Sequence, residues 1–272
     1  MRKPLYIVKI GGVVITDRTA KTTARHDVIE RLVTEILEAQ KEKGFNLVLV
    51  NGAGSFGHIP VIEYGVKEGI KDEKTRFGTV MVHKHVEDLN RMIWEKFLER
   101  SHPAVPIHPM SVVLHEEGKI KLFETRHLKE LLKHGIIPLM YGDMVADSKR
   151  GSSIISGDDI VPYLARKLKA SKVFIGTNTD GIFDKDPNKH SNARQIPLID
   201  SSNIREVITY AQESAVQDVT GGMRKKLESL LEQSAECDCV IFNAAVPGMA
   251  RKALSGERVG TIIKGNLKSV KQ

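Results

Sequence analysis

The sequence predicts an α/β protein with a mainly parallel central sheet, and two observations lead to this prediction. Short apolar runs, beginning with Leu5 to Ile10 and Phe45 to Val50, alternate with longer segments whose apolar residues recur at helical spacing. Glycine or small polar residues follow these runs, as expected at the edge of a sheet where α/β proteins bind ligands. A strand, a helix and a strand in that order form a βαβ unit with parallel strands.

Composition is that of one ordinary globular domain. The chain has 272 residues, of which 41% are hydrophobic and 28% are charged. The formal net charge of +7 raises nucleic acid as a partner. Basic residues are scattered among nearly as many acids, however, and only 5% of residues are aromatic. We therefore expect a solvated basic face or a basic cleft for phosphorylated small molecules, and no nucleic-acid partner.

The amino terminus and the cysteines favour an intracellular protein. Met1 to Lys9 lacks the apolar core of a signal peptide, and no run approaches the ~18 apolar residues of a membrane span. A cytoplasmic protein without a membrane partner is the expectation. Cys237 and Cys239 begin an apolar run and are predicted to be strand-end residues, because two thiols make neither a disulfide framework nor a good zinc site.

The segment from Asn51 to His58 is the first candidate binding loop. Gly52, Gly54 and Gly57 let the backbone turn sharply after an apolar run and bring N–H groups close to an anion. The same glycines match G-x-G-x-x-G, so a dinucleotide site is an alternative. Against it, the motif does not follow the first strand, and further glycine turns would stay unexplained. His58 adds an imidazole donor, which suits a phosphate that takes part in a reaction.

Lys9 lies near the end of the first predicted strand, and Gly11 and Gly12 follow it directly. A lysine inside a buried strand costs free energy unless an anionic group meets it. The alternative is an edge strand with Lys9 in solvent. The next apolar residues, from Val28 to Leu37, fall at helical spacing, and Gly44 stands where a C-terminal cap is expected.

Asp158 and Asp159 stand in Ser-Gly-Asp-Asp, just before a helix predicted from Ile160 to Lys169. Carboxylates at this position either belong to a site or cap the helix and favour its dipole. Both interpretations can hold together.

The second half of the chain contains two more turns of this kind. Thr177 to Gly181 follows the strand predicted at Val173 to Gly176. The segment Asp218 to Gly222 precedes a helix predicted from Met223 to Ala235, whose first turn is basic. Cations are unfavourable at a helix N-terminus unless an anion binds there, although long lysines can also reach water.

The remaining pattern predicts ordinary packing elements between these turns. They are a long helix from Thr75 to Arg100, a strand from Ile136 to Tyr141, and hairpins over Val112 to Phe123 and Met144 to Ile155.

Three glycine turns, each near a basic residue, predict that several phosphates are held in a row. Such a site suits phosphoryl transfer from a nucleotide to an acceptor that already carries phosphate. The chain contains neither G-x-x-x-x-G-K-[ST] nor the H-R-D and D-F-G pair, which argues against a P-loop enzyme and a protein kinase.

The order of these motifs resembles the amino acid kinase superfamily. The motifs are Lys9-Ile-Gly-Gly, Gly52-Ala-Gly-Ser-Phe-Gly-His58, Ile155-Ser-Gly-Asp158-Asp, Thr177-Asn-Thr-Asp180-Gly and Asp218-Val-Thr-Gly-Gly-Met-Arg-Lys-Lys226. Within the superfamily, the His58 ending and the segment from Ile155 to Ala165 are similar to isopentenyl phosphate kinases. The resemblance implies a three-layer αβα sandwich, with an acceptor lobe at about 1–170 and a nucleotide lobe at about 171–272 of a single domain.

The resemblance also implies roles for charged residues. Lys9 and Lys226 would neutralise the phosphates in flight, with Asp158 between them holding both lysines. His58 would donate a hydrogen bond to the acceptor phosphate. Arg18 stands where the family usually has lysine, so it would keep the charge with a different geometry.

Smaller residues complete the implied site. The backbone N–H groups of Gly11, Gly12 and Gly54 would bind the ATP phosphates or the transferred group. Ala53 and Gly157 would contact the acceptor beside His58. The nucleotide would be bordered by Thr177, Asn178, Asp180 and Gly221.

The same resemblance implies ATP as donor, isopentenyl phosphate as acceptor, and a homodimer through the long helix after His58. Mg²⁺ would arrive with ATP, held by phosphate oxygens and water and not by a protein metal site.

Besides Arg18, the chain departs from the usual residues of the family at three positions. They are Val13 for the usual serine, Asn51 for the usual histidine and Asn178 for the usual aspartate.

Other functions remain as alternatives at this point. They are a kinase for another small phosphate, phosphonate or carboxylate on the same fold, a dinucleotide-dependent oxidoreductase, and a non-catalytic nucleotide-binding or nucleic-acid-binding protein.

Overall fold

A computed structural model describes residues 3–17, 19–187, 189–215, 237–265 and 267. The strands are β1 Leu5–Ile10, β2 Asn46–Asn51, β3 Ala104–Pro106, β4 Val113–Glu116, β5 Lys119–Phe123, β6 Ile137–Tyr141, β7 Asp143–Asp147, β8 Gly151–Ile155, β9 Lys172–Thr177, β10 Ile182–Phe183, β11 Gln195–Ile196, β12 Leu198–Ile199, β13 Asp238–Asn243 and β14 Thr261–Ile263. The helices are α1 Gly12–Ile15, α2 His26–Lys43, α3 Gly54–Tyr64, α4 Glu73–Leu98, α5 Pro109–Val112, α6 Arg126–Lys133, α7 Gly157–Leu168, α8 Ile204–Ala215 and α9 Met249–Ser255.

The central sheet has eight strands in the order β12-β14-β13-β9-β1-β2-β6-β3. Its neighbouring strands run parallel, with one antiparallel pair, β13 and β14. The predicted mainly parallel sheet is therefore confirmed. Because β1 lies between β2 and β9, Lys9 is in the middle of the sheet, and the edge-strand alternative for this residue is wrong.

Helices cover both faces of this sheet. One core combines Val8 of β1 with apolar residues of α2, α4 and α9, and a second core combines Ile7 of β1 with residues of α6 and α7. Neighbouring residues of a strand point to opposite faces, so Ile7 and Val8 enter different cores. The three-layer αβα sandwich is confirmed. Coverage on both faces also explains why β2 contains the unbroken and buried apolar run Leu47 to Val50.

A second, four-stranded sheet has the order β5-β4-β7-β8 and consists of the two predicted hairpins. In the first hairpin, Glu117 and Gly118 turn the chain with φ of 53° and 77°. The carboxylate of Asp147 accepts hydrogen bonds from the N–H of Gly118 at 2.7 Å and of Glu117 at 3.2 Å. This carboxylate links the turn of the first hairpin to the strand of the second.

Helix ends follow the predicted chemistry, with one shift in position. Gly44 ends α2 in the left-handed conformation, with φ of 67°. Helix α7 begins at Gly157, three residues before the predicted Ile160, because Ser156 and Asp159 form a capping box. The two acids at this terminus therefore differ in role, since Asp159 caps the helix.

The cysteines stand at the start of β13, as predicted. Within the part of the chain that the structure describes, no helix is both long and apolar enough to span a membrane.

Candidate functional site

The candidate site lies at the carboxyl ends of β9, β1 and β2, where two glycine turns meet. The N–H of Gly11 donates to the carbonyl of Gly176 at 2.8 Å, and the N–H of Gly52 donates to the carbonyl of Ile10 at 2.8 Å. The turn after β1 is thereby fixed between the turns after its two neighbours. Three predicted binding segments thus share one edge of the sheet.

Gly12 and Gly54 bring their backbones into direct contact. A Cβ on Gly12 would stand 2.5 Å from Gly54 Cα, and a Cβ on Gly54 would stand 2.9 Å from the Gly12 carbonyl oxygen. Gly54 also has a φ of 52°, which side chains rarely allow. The hydroxyl of Thr16 fastens the contact, since it donates to Gly12 O at 2.8 Å and accepts from the N–H of Ser55 at 3.1 Å. The glycines are required here by close approach as well as by turn geometry.

Lys9 is a buried cation at this edge, with 5% of its surface exposed. Its Nζ lies 2.6 Å from Oδ1 of Asp158, at the first turn of α7. A Cβ on Gly157 would stand 3.0 Å from Lys9 Cε, so the chain passes directly over the lysine stem. The structure thus brings together Lys9, Gly157 and Asp158, which are far apart in sequence.

The turn after β9 forms the other side of the site. Thr177 is 6% exposed, and its carbonyl accepts the N–H of Ala244 at 2.8 Å. Asn178 and Asp180 are exposed. The carboxylate of Asp180 accepts a hydrogen bond from Asn243 Nδ2 at 2.9 Å, which links this turn to the end of β13. A polar, accessible surface therefore borders Gly11 on the side away from β2.

His58 is exposed on the first turns of α3, and Ala53 is the half-buried residue before that helix. The alanine side chain offers no hydrogen-bond acceptor to the first N–H groups of α3, and a helix N-terminus of this kind favours an anion. A Cβ on Gly57 would stand 3.4 Å from Val86 of α4, so the helix carrying His58 packs closely on α4.

A polar cluster beside this site was not found from the sequence. The carboxylate of Asp143 is buried, with Oδ1 at 2.9 Å from His83 Nδ1, and it also accepts the N–H of Met144 at 2.8 Å. Next to it, His108 Nδ1 lies 2.6 Å from the hydroxyl of Tyr141. The ring centroids of the two histidines are 6.1 Å apart. The cluster lies where β6 ends, one strand beyond the glycine loop.

Burial and pairing set the protonation of this cluster. Burial raises the pKa of Asp143 above its usual range, although the bond from His83 opposes that effect. The bond to Asp143 raises the pKa of His83 above 6.5. Burial also raises the pKa of Tyr141. The pairing therefore favours the protonated form of His83 beside Asp143.

Asn51 connects the cluster to the glycine loop. Its Oδ1 accepts a hydrogen bond from Asn90 Nδ2 of α4 at 2.8 Å, and its carbonyl accepts the N–H of Gly142 at 3.2 Å. A Cβ on Gly142 would stand 3.5 Å from the nitrogen of Gly157. Asn51, which departs from the family pattern, therefore has a partner on α4 that holds the start of the loop.

Three predicted site residues, Arg18, Gly221 and Lys226, lie outside the described residues. Among the described residues, no group of three or more His, Cys, Asp or Glu side chains is arranged to hold a metal ion.

Comparison with known proteins shows the family to which this chain belongs. The model of the amino acid kinase family matches residues 4–243. The chain belongs to the amino acid kinase family. Full-length relatives within this family are isopentenyl phosphate kinases: that of Methanothermobacter thermautotrophicus is 35% identical, with 96% of this chain and 99% of the relative covered. That of Methanocaldococcus jannaschii is 36% identical, with 95% and 98% covered.

The fold of this amino acid kinase agrees with the same group. An X-ray structure of isopentenyl phosphate kinase matches it with a TM-score of 0.81 and 32% identity, covering 95% of this chain and 100% of the other. The chain is accordingly a phosphotransferase of the isopentenyl phosphate kinase branch, and a nucleotide is its phosphoryl donor.

Proposed function

We propose that this chain transfers the γ-phosphoryl group of ATP to isopentenyl phosphate, giving isopentenyl diphosphate and ADP. The observation that carries the proposal is the ion pair between buried Lys9 and half-buried Asp158, 2.6 Å long and placed between two glycine turns. A cation buried in the middle of a parallel sheet is costly unless anions meet it. Asp158 meets it from one side, and a transferred phosphoryl group is the second anion that the position suits.

ATP is proposed to lie along Gly11, Gly12 and the exposed turn that contains Thr177, Asn178 and Asp180. Its phosphates would accept hydrogen bonds from the backbone N–H groups of the glycine turns. Gly221, outside the described residues, would complete this side. The division into an acceptor lobe at about 1–170 and a nucleotide lobe at about 171–272 depends on this placement of ATP.

The acceptor is proposed to lie on the other side, against Ala53, Gly54 and Gly157, with its phosphate beside His58. A neutral or protonated imidazole donates to phosphate, and the N-terminus of α3 adds its dipole. The acceptor phosphate is already anionic near neutral pH, so the reaction requires no general base. Its oxygen attacks the γ-phosphorus, the bond to the β-phosphate oxygen breaks, and ADP leaves.

Positioning and charge neutralisation would supply most of the rate. Phosphoryl transfer proceeds through a loose transition state whose charge spreads over the transferred oxygens. Lys9, oriented by Asp158, would neutralise part of that charge, and Lys226 and Arg18 are assigned the same task by the family pattern. Mg²⁺ would be held by phosphate oxygens and water.

Phosphorus-31 NMR tests the proposal directly. Incubation with ATP, Mg²⁺ and isopentenyl phosphate is expected to replace the monophosphate signal by two coupled diphosphate signals, with equimolar ADP. An acceptor panel that includes phosphonates and carboxylates separates the related kinases. His58→Ala should impair phosphate acceptors far more than carboxylates, with exposed His26→Ala as the matched control. No turnover of isopentenyl phosphate would refute the assignment.

A homodimer through α4 is part of the proposal. Phe77 and Val80 of α4 are 58% and 57% exposed, and Ile62 of the neighbouring α3 is 80% exposed. Large apolar side chains exposed on two helices in contact with each other favour an interface. Light scattering after size exclusion is expected to give twice the chain mass, and Phe77→Glu to give monomers. A monomeric wild-type protein would contradict this part.

Cytoplasmic location stays a prediction.

A further inference from the structure

A groove of about 830 Å³ lies at the edge of the sheet opposite the candidate site. It is lined by Leu5 and Asn46, the first residues of β1 and β2, and by Ser171 just before β9. The carboxyl ends of α6 and α7 form its walls. Because these strands begin here and end at the glycine turns, the groove is separated from those turns by the length of the strands.

The walls of the groove are strongly basic. Five lysines and no acid are found among the described residues that line it: Lys3, Lys129, Lys133, Lys167 and Lys169. All five are exposed. Lys133 is paired with nearby Glu130 at 2.7 Å, and Lys167 Nζ lies 5.7 Å from the centre of the Tyr163 ring.

The negative ends of two helix dipoles offset only part of the positive charge of these lysines. Helices α6 and α7 both end at the groove, and each helix C-terminus carries about half a negative charge. Two such ends offset about one lysine, and Glu130 offsets another. About three positive charges remain in excess, which is more than is needed to cap two helices.

Apolar residues also line the groove. Pro4, Leu5, Leu132 and Leu168 line it together with the lysines. Leu132 is 8% exposed, whereas Leu5 and Leu168 are only half-buried. A ligand that fits this surface therefore combines a multiply charged anionic head with a hydrocarbon part.

We propose that this groove is a second binding site for an amphiphilic phosphate, of the class of prenyl diphosphates. A diphosphate head carries about the charge that the lysines leave in excess, and the volume lies in the range of small-molecule sites. The amphiphilic anion follows from the groove alone, whereas the choice of a prenyl tail rests on the proposed function. Occupancy at this edge leaves the catalytic edge free, so binding there is independent of turnover.

Calorimetric titration with geranyl diphosphate tests the proposal, with inorganic diphosphate as the tail-free probe. The groove variant is Lys129→Gln/Lys169→Gln, and its matched control is Lys67→Gln/Lys74→Gln, which removes equal charge at exposed positions outside the groove. If the proposed function holds, geranyl diphosphate also binds at the catalytic edge. Binding in the groove is therefore measured as the difference in affinity between the groove variant and the control variant. Removal of one charge-assisted hydrogen bond is expected to weaken binding roughly tenfold.

The expected result is a binding event in wild type and control that weakens at least roughly tenfold in the groove variant, with unchanged turnover and melting temperature. Equal binding in all three proteins would overturn the proposal. The proposal would also be overturned if inorganic diphosphate bound as tightly as geranyl diphosphate. The same holds if the protein bound no geranyl diphosphate but was retained on vesicles that contain phosphatidylglycerol, since the groove would then bind a lipid surface. A chain that fails to phosphorylate isopentenyl phosphate but passes this test loses the proposed function and the prenyl assignment, not the amphiphile site.

Discussion

At the scale of single residues, Lys9 shows how far sequence reasoning reaches. A lysine in an apolar run before two glycines predicts a cation that meets an anion, and its 5% exposure confirms the burial. The run does not reveal which carboxylate pairs with it. That partner, Asp158, comes from a distant helix N-terminus that only the folded sheet brings close.

Replacing Lys9 by methionine is expected to lower kcat by about three powers of ten or more, because the buried cation proposed to neutralise the transferred phosphoryl group is lost. Methionine keeps the shape of the stem, so the thermal melting temperature should stay close to that of the wild type. Exposed Lys43→Met is the control. Full specific activity in Lys9→Met would show that this lysine is structural.

The contact between glycine backbones gives a second prediction at this scale. Gly12→Ala places a methyl group 2.5 Å from Gly54 Cα, so the two turns must separate. Urea denaturation is expected to show a decrease of about 2 kcal/mol or more in the free energy of unfolding, with loss of ATP binding. Gly44→Ala, which has open space around it, should cost about 1 kcal/mol through its φ alone. Equal stability of the two variants would contradict the close contact.

At the scale of elements, α4 stabilises the site through polar contacts that could not be predicted from the sequence. The apolar face of α4 follows from its spacing. His83 and Asn90, however, look like ordinary helix residues until their partners on β7 and β2 are placed beside them. Hydrogen-bond partners across elements depend on sheet order, and helical periodicity contains no information about it.

The His83–Asp143 contact predicts a pH-dependent stability. The folded pKa of His83 is raised, so its contribution is complete below the unfolded value of 6.5 and is lost as pH rises through the folded pKa. His83→Gln should therefore lose about 2 kcal/mol of unfolding free energy below pH 6, and progressively less above neutrality. His26→Gln, at an exposed position, is the matched control. A difference that does not change between pH 5 and pH 9 would contradict the assignment.

A buried carboxylate joins α2 to α9. Glu35 is 7% exposed and accepts from Arg31 at 2.7 Å and from the N–H of Gly248 at 2.8 Å, before the first turn of α9. Glu35→Ala removes the acceptor of that N–H and the anionic partner of Arg31, although Arg31 keeps its hydrogen bond to the carbonyl of Ala244 at 2.8 Å. The substitution is expected to cost about 3 kcal/mol in urea denaturation. Glu38→Ala, an exposed partner of Arg251, should cost under about 1 kcal/mol. Similar decreases in the two variants would mean that Glu35 is not a clamp.

At the scale of the whole molecule, the sequence predicted the α/β class, the parallel sheet and both hairpins, because these depend on local periodicity and turn chemistry. The order of strands was not predictable, since β9 inserts beside β1 through a long crossover. That order decides which turns meet. It places Gly11 against Gly176, Lys9 against Asp158 and the lysine groove at the far edge.

The central claim is that one edge of the sheet aligns two anionic molecules head to head over Lys9. A crystal structure with isopentenyl phosphate, Mg²⁺ and a non-hydrolysable ATP analogue tests it most directly. The acceptor phosphate is expected beside His58 and Gly157, with the γ-phosphate along Gly11 and Gly12 and in contact with Lys9 Nζ. Electron density for either molecule away from this edge, with Lys9 bound only to Asp158, would contradict the claim.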